Sequence, residues 1–214
     1  MKLNEQLQTQ CAEFEKEFGL IPEARQQALA ALGEYIAQQI KAGETARLTV
    51  ICTHNSRRSH IGQLWLSAAA AYYGLAGVHA FSGGTEATAF NLSAVAAMRR
   101  AGFIILGQES ETNPRYTTKL GEELPEITLF SKRYDDPANP QQGFAAIMVC
   151  SGADEACPFI PGADRRFAIR YDDPKAADGT AAEAATYDER CRQIGREMLY
   201  AVHHAYKIIA AHVS

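Results

Sequence analysis

Short apolar, β-rich runs alternate with helix-like stretches along this chain, and that alternation limits the possible folds more than any other feature of the sequence. Strands that alternate with helices are typical of a parallel sheet covered by helices on both faces. The predicted strands are RLTVICT (47–53), GVHAFSGG (77–84), FAAIMVCS (144–151) and RRFAIRYDD (165–173). The predicted helices are residues 59–74, residues 91–102 with Asn91 as the N-cap, and a long C-terminal stretch, residues 181–213. The sequence therefore predicts an α/β fold with a four-stranded parallel sheet.

Two helical segments precede the first strand. Residues 3–17 and 22–42 are rich in Ala, Gln, Glu and Leu, and a Gly- and Pro-containing stretch separates them. We therefore divide the chain into an N-terminal helical hairpin, residues 1–45, and an α/β domain, residues 46–214. Such a hairpin either packs on the core or forms the interface of a homodimer.

A polar segment with several prolines, residues 107–143, interrupts the α/β domain. EITLFSKRY (126–134) is the one predicted strand inside it. We interpret this segment as an insertion that could cover a site, in which case Tyr116 or Phe130 would contact the substrate.

Charge and cysteine content argue against several classes of function. A net charge of −4 and a pI near 5.9 do not suit a surface for nucleic acid or an anionic membrane. The N-terminus lacks the apolar region of a signal peptide, and no apolar run reaches the roughly 18 residues that span a bilayer, so we expect a cytoplasmic protein. An odd number of cysteines, five, does not suit a disulfide framework, and no spacing of Cys and His suits zinc. We therefore predict thiol chemistry and no metal site.

Cys52 ends the first predicted strand, and small polar and basic residues follow it before the next helix. Successive backbone N–H groups in such a loop, next to a helix N-terminus, form a cradle for an oxyanion. The candidate oxyanion-binding residues are Thr53, His54, Asn55, Ser56, Arg57, Arg58 and Ser59. Arg58 can hold two oxygens of a tetrahedral anion through its planar fork, and Asn55 suits a left-handed loop position. The positive field favours the thiolate of Cys52, a candidate nucleophile that the Ser59 hydroxyl can stabilise.

Two further groups suit chemistry at this loop. Cys150 ends the third predicted strand and Cys157 lies seven residues later, and two thiols on one segment near a nucleophilic cysteine suit a disulfide relay. Asp173 follows the fourth strand and precedes Pro174, which favours an extended backbone that aims the carboxyl at the loop as a general acid. The adjacent Asp172 is the alternative acid.

These motifs together resemble one known family. VICTHNSRRS (50–59) resembles the phosphate-binding loop of the low-molecular-weight protein tyrosine phosphatase superfamily, and within it the thioredoxin-coupled arsenate reductases. FSGGTE (81–86), VCSGADEACP (149–158) and YDDP (171–174) fall in the order of the family's motifs. The resemblance covers roughly residues 46–213, apart from the insertion.

The resemblance implies two alternative activities. In a reductase, Cys52 attacks arsenate, Cys150 attacks the adduct and releases arsenite, and Cys157 captures Cys150 in a disulfide that thioredoxin reduces, with no bound cofactor. In a phosphatase, Cys52, Arg58 and Asp173 hydrolyse phosphotyrosine through a phosphocysteine intermediate. A third interpretation, which does not follow the family, is a non-catalytic module that binds an oxyanion or a partner.

The sequence departs from the family pattern at several positions. His54 stands where glycine is usual, and Arg57 stands where cysteine is common, so we expect a loop histidine and a solvated arginine. Gln63 replaces a glutamate that helps some reductases to bind potassium, and we do not predict that ion. Lys175 stands where the phosphatases usually have a tyrosine after the Asp-Pro pair, which weakens the case for phosphotyrosine.

Overall fold

Helices and strands alternate along the chain much as the sequence predicts. The computed structural model describes residues 2–107, 112–156 and 159–213. The helices are α1 (Glu5–Lys16), α2 (Glu23–Lys41), α3 (Arg58–Tyr72), α4 (Leu92–Arg100), α5 (Ser151–Ala156) and α6 (Glu183–Val213). The strands are β1 (Ala46–Cys52), β2 (Val78–Gly84), β3 (Ile104–Gly107), β4 (Tyr116–Lys119), β5 (Ile127–Leu129), β6 (Phe144–Met148) and β7 (Ala163–Ala168).

The central sheet has four parallel strands in the order β2-β1-β6-β7, which confirms the predicted fold class. Leu48 of β1 pairs with Ala80 on one side and Ala145 on the other. The side chains of residues 48–51 are all fully buried. Because successive side chains of a strand point to opposite faces, both faces of β1 are covered.

Helices α3 and α6 build the core beside this sheet. Gly62 of α3 lies against Val50, and a Cβ there would approach Val50 Cγ1 to 2.9 Å, so glycine permits close packing of helix on strand. Trp65 of α3 is buried, with the rings of Phe14 and Phe103 at 5.0 and 4.9 Å. The predicted N-cap of α4 is present, since the Asn91 side chain accepts a hydrogen bond from the Ala94 N–H.

The two N-terminal helices pack on α6 more extensively than on each other. Their fully buried side chains include Leu7 and Phe14 of α1 and Leu29, Leu32 and Ile36 of α2. These residues belong to one continuous hydrophobic core with the α/β part of the chain. The helical extension therefore packs on the core, one of the two arrangements that the sequence predicts; a boundary near residue 45 and a homodimer stay predictions.

Strand β3, which leads into the insertion, forms a second, antiparallel sheet with β4 and β5 of the insertion, in the order β3-β4-β5. The sequence did not predict β3 and β4, and the strand predicted over 126–134 is the shorter β5. Residues 131–134 run instead along the end of β2, where Gly84 N–H donates to Lys132 O and Tyr134 N–H donates to Gly84 O, both at 2.9 Å. A Cβ on Gly83 would lie 2.4 Å from Tyr134 Cα, so this contact requires a glycine.

Candidate active site

The loop between β1 and α3 reverses the chain directly after Cys52. Asn55 has a φ of +43°, the only positive φ of a non-glycine residue in the described part of the chain, and the sequence predicted this left-handed conformation. The Asn55 side chain donates from Nδ2 to Ser59 Oγ at 2.8 Å and accepts from Lys132 N–H at 2.9 Å. The loop is therefore fixed both to α3 and to the insertion.

Cys52 lies at the floor of this loop, beside the first turn of α3. Its Sγ is 3.1 Å from Ser59 Oγ, and the side chains of both residues are buried. Because Asn55 Nδ2 donates to Ser59 Oγ, the hydroxyl proton of Ser59 is available to the sulfur. A thiolate at this position would accept that hydrogen bond and would lie at the positive end of the α3 dipole.

Gly84, at the end of β2, has no side chain and so leaves room for the backbone of the loop. Gly84 pairs with Cys52 between β1 and β2. A Cβ on Gly84 would come within 2.6 Å of Thr53 O and 2.7 Å of Asn55 N. The next two residues brace the loop, since Thr85 N–H donates to Cys52 O and Glu86 N–H donates to Thr53 O.

Arg58 is held between two groups from the end of the fourth parallel strand. Its Nη1 donates to Tyr171 O at 2.8 Å, and its Nη2 donates to Asp173 Oδ2 at 2.5 Å. Asp173 Oδ1 also accepts from Lys175 N–H and begins a 3₁₀ turn, Pro174–Ala177. The structure thus brings Asp173 to the loop, whereas the side chain of Asp172 is 95 % exposed.

Arg57 differs from the prediction of a solvated side chain, because only 13 % of it is exposed. Its Nε donates to the Tyr187 hydroxyl at 2.6 Å, and its Nη2 donates to Asp178 Oδ2 at 2.9 Å. Burial, and next the hydrogen bond to Asp178, raise the pKa of Tyr187 to about 12. Arg57 therefore ties the loop to Tyr187 of α6 and to Asp178 before it, both more than 120 residues away, which local sequence does not reveal.

His54 occupies its position without a positive φ. Its side chain is about half exposed, and Nε2 lies 3.8 Å from Glu86 Oε2. The His54 carbonyl accepts from Ser131 Oγ at 2.9 Å and from Thr88 Oγ1 at 3.1 Å. The Ser56 carbonyl accepts from the Asn91 N–H at 2.9 Å, so α4 also supports the loop.

Cys150 is a buried thiol beside the loop. It follows β6, which pairs with β1, and its Sγ lies 3.4 Å from Thr53 Oγ1 and accepts from Ala153 N–H at 3.4 Å. Cys52 and Cys150 are free thiols, as are Cys11 and Cys191 elsewhere in the described part. Cys157, the other predicted relay residue, lies outside the described residues.

Asp154, on the short helix α5, was not identified from the sequence. Its buried carboxylate pairs with Arg166 and Arg170, and Arg170 Nε donates to Asp154 Oδ2 at 2.6 Å. This cluster holds the segment that follows Cys150 against β7. A single Asp in a polar stretch gives no sequence signal for such an anchor.

Arg25 of α2 supports the strand end that holds Arg58. Its Nε donates to Glu197 Oε2 at 2.7 Å, and its Nη2 donates to Arg170 O at 2.9 Å. The guanidinium carbon lies 4.7 Å from the centroid of the buried Tyr171 ring, and Tyr171 O receives Arg58. The N-terminal extension therefore reaches the backbone next to the candidate site.

Tyr116 and Phe130, the two residues of the insertion expected to contact the substrate, have different surroundings. Tyr116 is fully buried and packs against Phe90, with ring centroids 5.9 Å apart, so it cannot contact a substrate, and that expectation was wrong. Phe130 is half-buried, and the cations of Arg115 and Lys132 lie 4.0 and 4.6 Å from its centroid.

Within residues 2–107, 112–156 and 159–213, no three His, Cys, Asp or Glu side chains are grouped to hold a metal ion. Gln63 is buried, and its Nε2 donates to Ala80 O at 3.3 Å.

Among the described helices, none combines the length and the apolar character needed to cross a membrane.

Known proteins are similar to this chain in sequence or in fold. No protein-family model matches the chain. An arsenate reductase from Bacillus licheniformis is 30 % identical over 149 residues, which is 69 % of this chain and 88 % of the relative. An arsenate reductase from Halalkalibacterium halodurans is 29 % identical, with the same coverage of both chains. A low-molecular-weight phosphotyrosine phosphatase from Vibrio cholerae O395 superposes with a TM-score of 0.51 at 12 % identity, covering 74 % of this chain and 95 % of that one. With this sequence similarity and the shared fold, the chain belongs to the low-molecular-weight protein tyrosine phosphatase superfamily of enzymes, to which arsenate reductases also belong.

Proposed function

We propose that the protein is an arsenate reductase that uses a thiol–disulfide relay between Cys52, Cys150 and Cys157. The observation that carries this proposal is the second buried thiol beside the loop, with Cys150 Sγ 3.4 Å from the hydroxyl of Thr53, the neighbour of Cys52. The similarity to curated arsenate reductases supports the same substrate. A hydrolytic phosphatase has no chemical need for this thiol.

In the first step, arsenate binds to the N–H groups of the loop and to Arg58. The Cys52 sulfur attacks arsenic(V), an S–As bond forms, and one arsenate oxygen leaves as water. Asp173, which hydrogen-bonds Arg58 in the free protein, is the candidate donor of the proton to that oxygen. Ser59 supports the nucleophile through its contact with Cys52.

In the second step, the Cys150 thiolate attacks the Cys52 sulfur. A Cys52–Cys150 disulfide forms, the S–As bond breaks, and its electron pair reduces arsenic(V) to arsenic(III), which leaves as arsenite. The two thiols supply both electrons of the reduction, so the step requires no bound cofactor.

In the third step, Cys157 attacks the sulfur of Cys150 and releases Cys52 for another turnover. The Cys150–Cys157 disulfide is then reduced by a dithiol protein, for which thioredoxin is the candidate donor. Cys157 is outside the described residues, so its role rests on the sequence.

A single turnover tests the relay. Fully reduced protein is incubated with arsenate, alkylated, digested without reduction, and its cysteine peptides are mapped by mass spectrometry. We expect a Cys150–Cys157 disulfide that requires arsenate, and a trapped Cys52–Cys150 disulfide in the Cys157→Ser variant. Free thiols throughout, with no arsenite released, would contradict the proposal. A Cys11→Ser variant is the matched control, since Cys11 is buried in α1.

The alternative activity, hydrolysis of phosphate monoesters, is favoured by one contact. The Asp173 carboxylate lies 2.5 Å from Arg58, where a general acid for an aryl leaving group is required. The two activities separate at Cys150, because hydrolysis of a phosphocysteine needs water and no second thiol. The Cys150→Ser variant should lose arsenite release and keep the hydrolysis of p-nitrophenyl phosphate. Arsenate turnover that survives this change would exclude the relay.

A further inference from the structure

Two adjoining cavities lie beside the insertion, and no residue of the loop 52–59 lines either of them. The larger, about 880 Å³, lies between α3, β2 and the insertion, and the smaller is about 520 Å³. Both are lined by Arg115, Phe130, Lys132 and Asp136, and neither is lined by Cys52. The larger cavity has the size of a small-molecule site. Its apolar wall includes Ala70, Leu75, Val78, Leu120, Leu124 and Ile127.

Lys132 is the unusual residue of these cavities. It is a lysine with only 5 % of its surface exposed. Its Nζ donates one long hydrogen bond, 3.5 Å, to Phe130 O and lies 4.6 Å from the Phe130 ring centroid. It forms no ion pair with any acid of the described chain. Burial of an ammonium without a carboxylate costs free energy, so this arrangement favours an anion from outside the chain.

A second cation lies at the same ring. The Arg115 guanidinium is 4.0 Å from the Phe130 centroid, and Arg115 also lines both cavities. Asp136 lines them as well, but its Oδ1 accepts the Ala138 N–H, and it does not pair with Lys132 in the described structure. Glu126, in the wall of the larger cavity, is exposed. Two cations thus stand at one end of an apolar cavity.

This arrangement lowers the pKa values of two residues, Lys132 itself and His60 of α3. Burial lowers the pKa of Lys132; the charge of Asp136 opposes this shift, the charge of Arg115 adds to it, and the resulting pKa is about 8. Burial, and next the charge of Lys132, lower the pKa of His60 to about 3, so His60 stays neutral. An anion at Lys132 would offset the repulsion between Lys132 and Arg115.

We propose that the larger cavity binds a small organic carboxylate with an apolar body. The carboxylate pairs with Lys132 and with the planar fork of Arg115, and the body lies along the apolar wall formed by α3 and the insertion. A single carboxylate charge suits this site better than a phosphate dianion, because the apolar surroundings disfavour a second charge. This site is separate from the reaction at Cys52 and does not depend on the activity proposed for it.

Octanoate is the probe that tests this site. It is titrated at pH 7 into the full chain by calorimetry, with inorganic phosphate present to occupy the loop at Arg58. We expect octanoate to bind the wild type and to bind Lys132→Met about tenfold or more weakly, as expected for the loss of one charge-assisted hydrogen bond. Lys119→Met is the matched control, since Lys119 is exposed on β4 and lines neither cavity. Acetate, which lacks the body, and 1-octanol, which lacks the charge, should bind more weakly than octanoate.

Three results would overturn the proposal. The first is the absence of octanoate binding to the wild type. The second is equal affinity of the wild type and Lys132→Met, in samples whose thermal unfolding shows that both are folded. The third is loss of octanoate binding in Arg58→Ala but not in Lys132→Met, because octanoate would then bind the active-site loop.

Discussion

The contact between Arg58 and Asp173 links anion binding to acid catalysis at the level of single residues. In the free protein, both terminal nitrogens of Arg58 donate to protein oxygens, those of Tyr171 and Asp173. The Nε–H of Arg58 is buried and has no hydrogen-bond partner in the described structure, so a tetrahedral anion can bind there while Asp173 stays beside Arg58. An anion at Arg58 therefore has its leaving oxygen near Asp173, the candidate donor of its proton.

The Asp173→Asn variant tests this link. We expect hydrolysis of an aryl phosphate to slow by about 10²–10⁴-fold, since an amide cannot serve as a general acid. Inhibition by inorganic phosphate should be as strong as in the wild type or stronger, because a neutral amide competes less for Arg58. Steady-state kinetics with phosphate as a competitive inhibitor measures both effects.

Asp172→Asn is the control for this variant. The Asp172 side chain is 95 % exposed, and its nearest cation, Arg190, is 3.6 Å away. We expect this change to leave both the rate and phosphate inhibition unaltered. Equal losses in the two variants would show that Asp173 is not the acid.

The buried charge of Lys132 predicts a dependence of stability on pH. Burial lowers its pKa from 10.5 to about 8. The folded state therefore binds this proton less tightly than the unfolded state, and the cost is complete below about pH 8 and disappears as the pH rises above 10.5. We expect Lys132→Met to stabilise the protein at pH 7 by about 3 kcal/mol, given 1.36 kcal/mol per pKa unit. Urea unfolding from pH 7 to 10.5 should show that gain shrinking, with Lys119→Met unchanged.

If Lys132→Met is instead less stable than the wild type at pH 7, other groups of the free protein offset the cost of burying the Lys132 ammonium. The gain in stability also distinguishes loss of a ligand site from loss of the fold. A variant that unfolds at higher urea and no longer binds octanoate has lost the site alone.

The sequence reveals the loop residues better than their distant partners. Asn55 and Ser59 act within four residues of each other, and their spacing after Cys52 is visible in the chain. Arg57 and Asp154 depend on partners that the fold brings from later parts of the chain, so local sequence predicted a solvated Arg57 and gave no signal for Asp154. The same holds for Lys132, whose burial depends on how the insertion packs on β2.

At the level of elements, β-branched and apolar runs identified the two central strands, β1 and β6, because strands buried on both faces are apolar along their length. The antiparallel strands were harder to predict. β3 has only four residues, of which Ile104 and Leu106 are exposed, and β4 is the largely polar YTTK. Their pairing with each other, and not a strong local pattern, makes them strands.

The contact between α2 and the end of β7 predicts an effect of the extension on the site. Arg25→Met leaves Glu197 buried without its cation and removes the hydrogen bond to Arg170 O. We expect a loss of about 3 kcal/mol in the free energy of unfolding, as is typical for a broken buried ion pair. We also expect a lower kcat for aryl phosphate hydrolysis, because Tyr171 and Asp173 lose support.

A double variant separates these two effects. Arg25→Met with Glu197→Leu replaces the ion pair by apolar groups, which is often neutral for stability. We expect urea unfolding to recover while kcat stays low, since the bond to the Arg170 carbonyl is still missing. Recovery of kcat together with stability would show that Arg25 acts on stability alone.

At the level of the whole molecule, the helical extension and the α/β part share one hydrophobic core. Helices α1 and α2 cover α6, and Gly33 of α2 approaches it so closely that a Cβ would lie 2.5 Å from Ala201 O. This close contact shows that α2 covers the side of α6 at Ala201 and shields it from solvent. The sequence suggested a separate extension because its helices precede a complete α/β pattern, and patterns along the chain do not show which helix faces are shared.

Deletion of the extension tests whether residues 46–214 fold on their own. The fully buried Leu7, Phe14, Leu29, Leu32 and Ile36 would be lost, and each such side chain contributes about 1.5–3 kcal/mol. Their sum is comparable to the whole stability of a typical domain, about 5–15 kcal/mol. We therefore expect residues 46–214 to lack a cooperative urea transition and to associate in size-exclusion chromatography, because the face of α6 would be exposed. The full chain with Leu20→Ala is the control, since Leu20 is 67 % exposed. A monomeric fragment with cooperative unfolding and intact aryl phosphate hydrolysis would instead make residue 45 a true domain boundary.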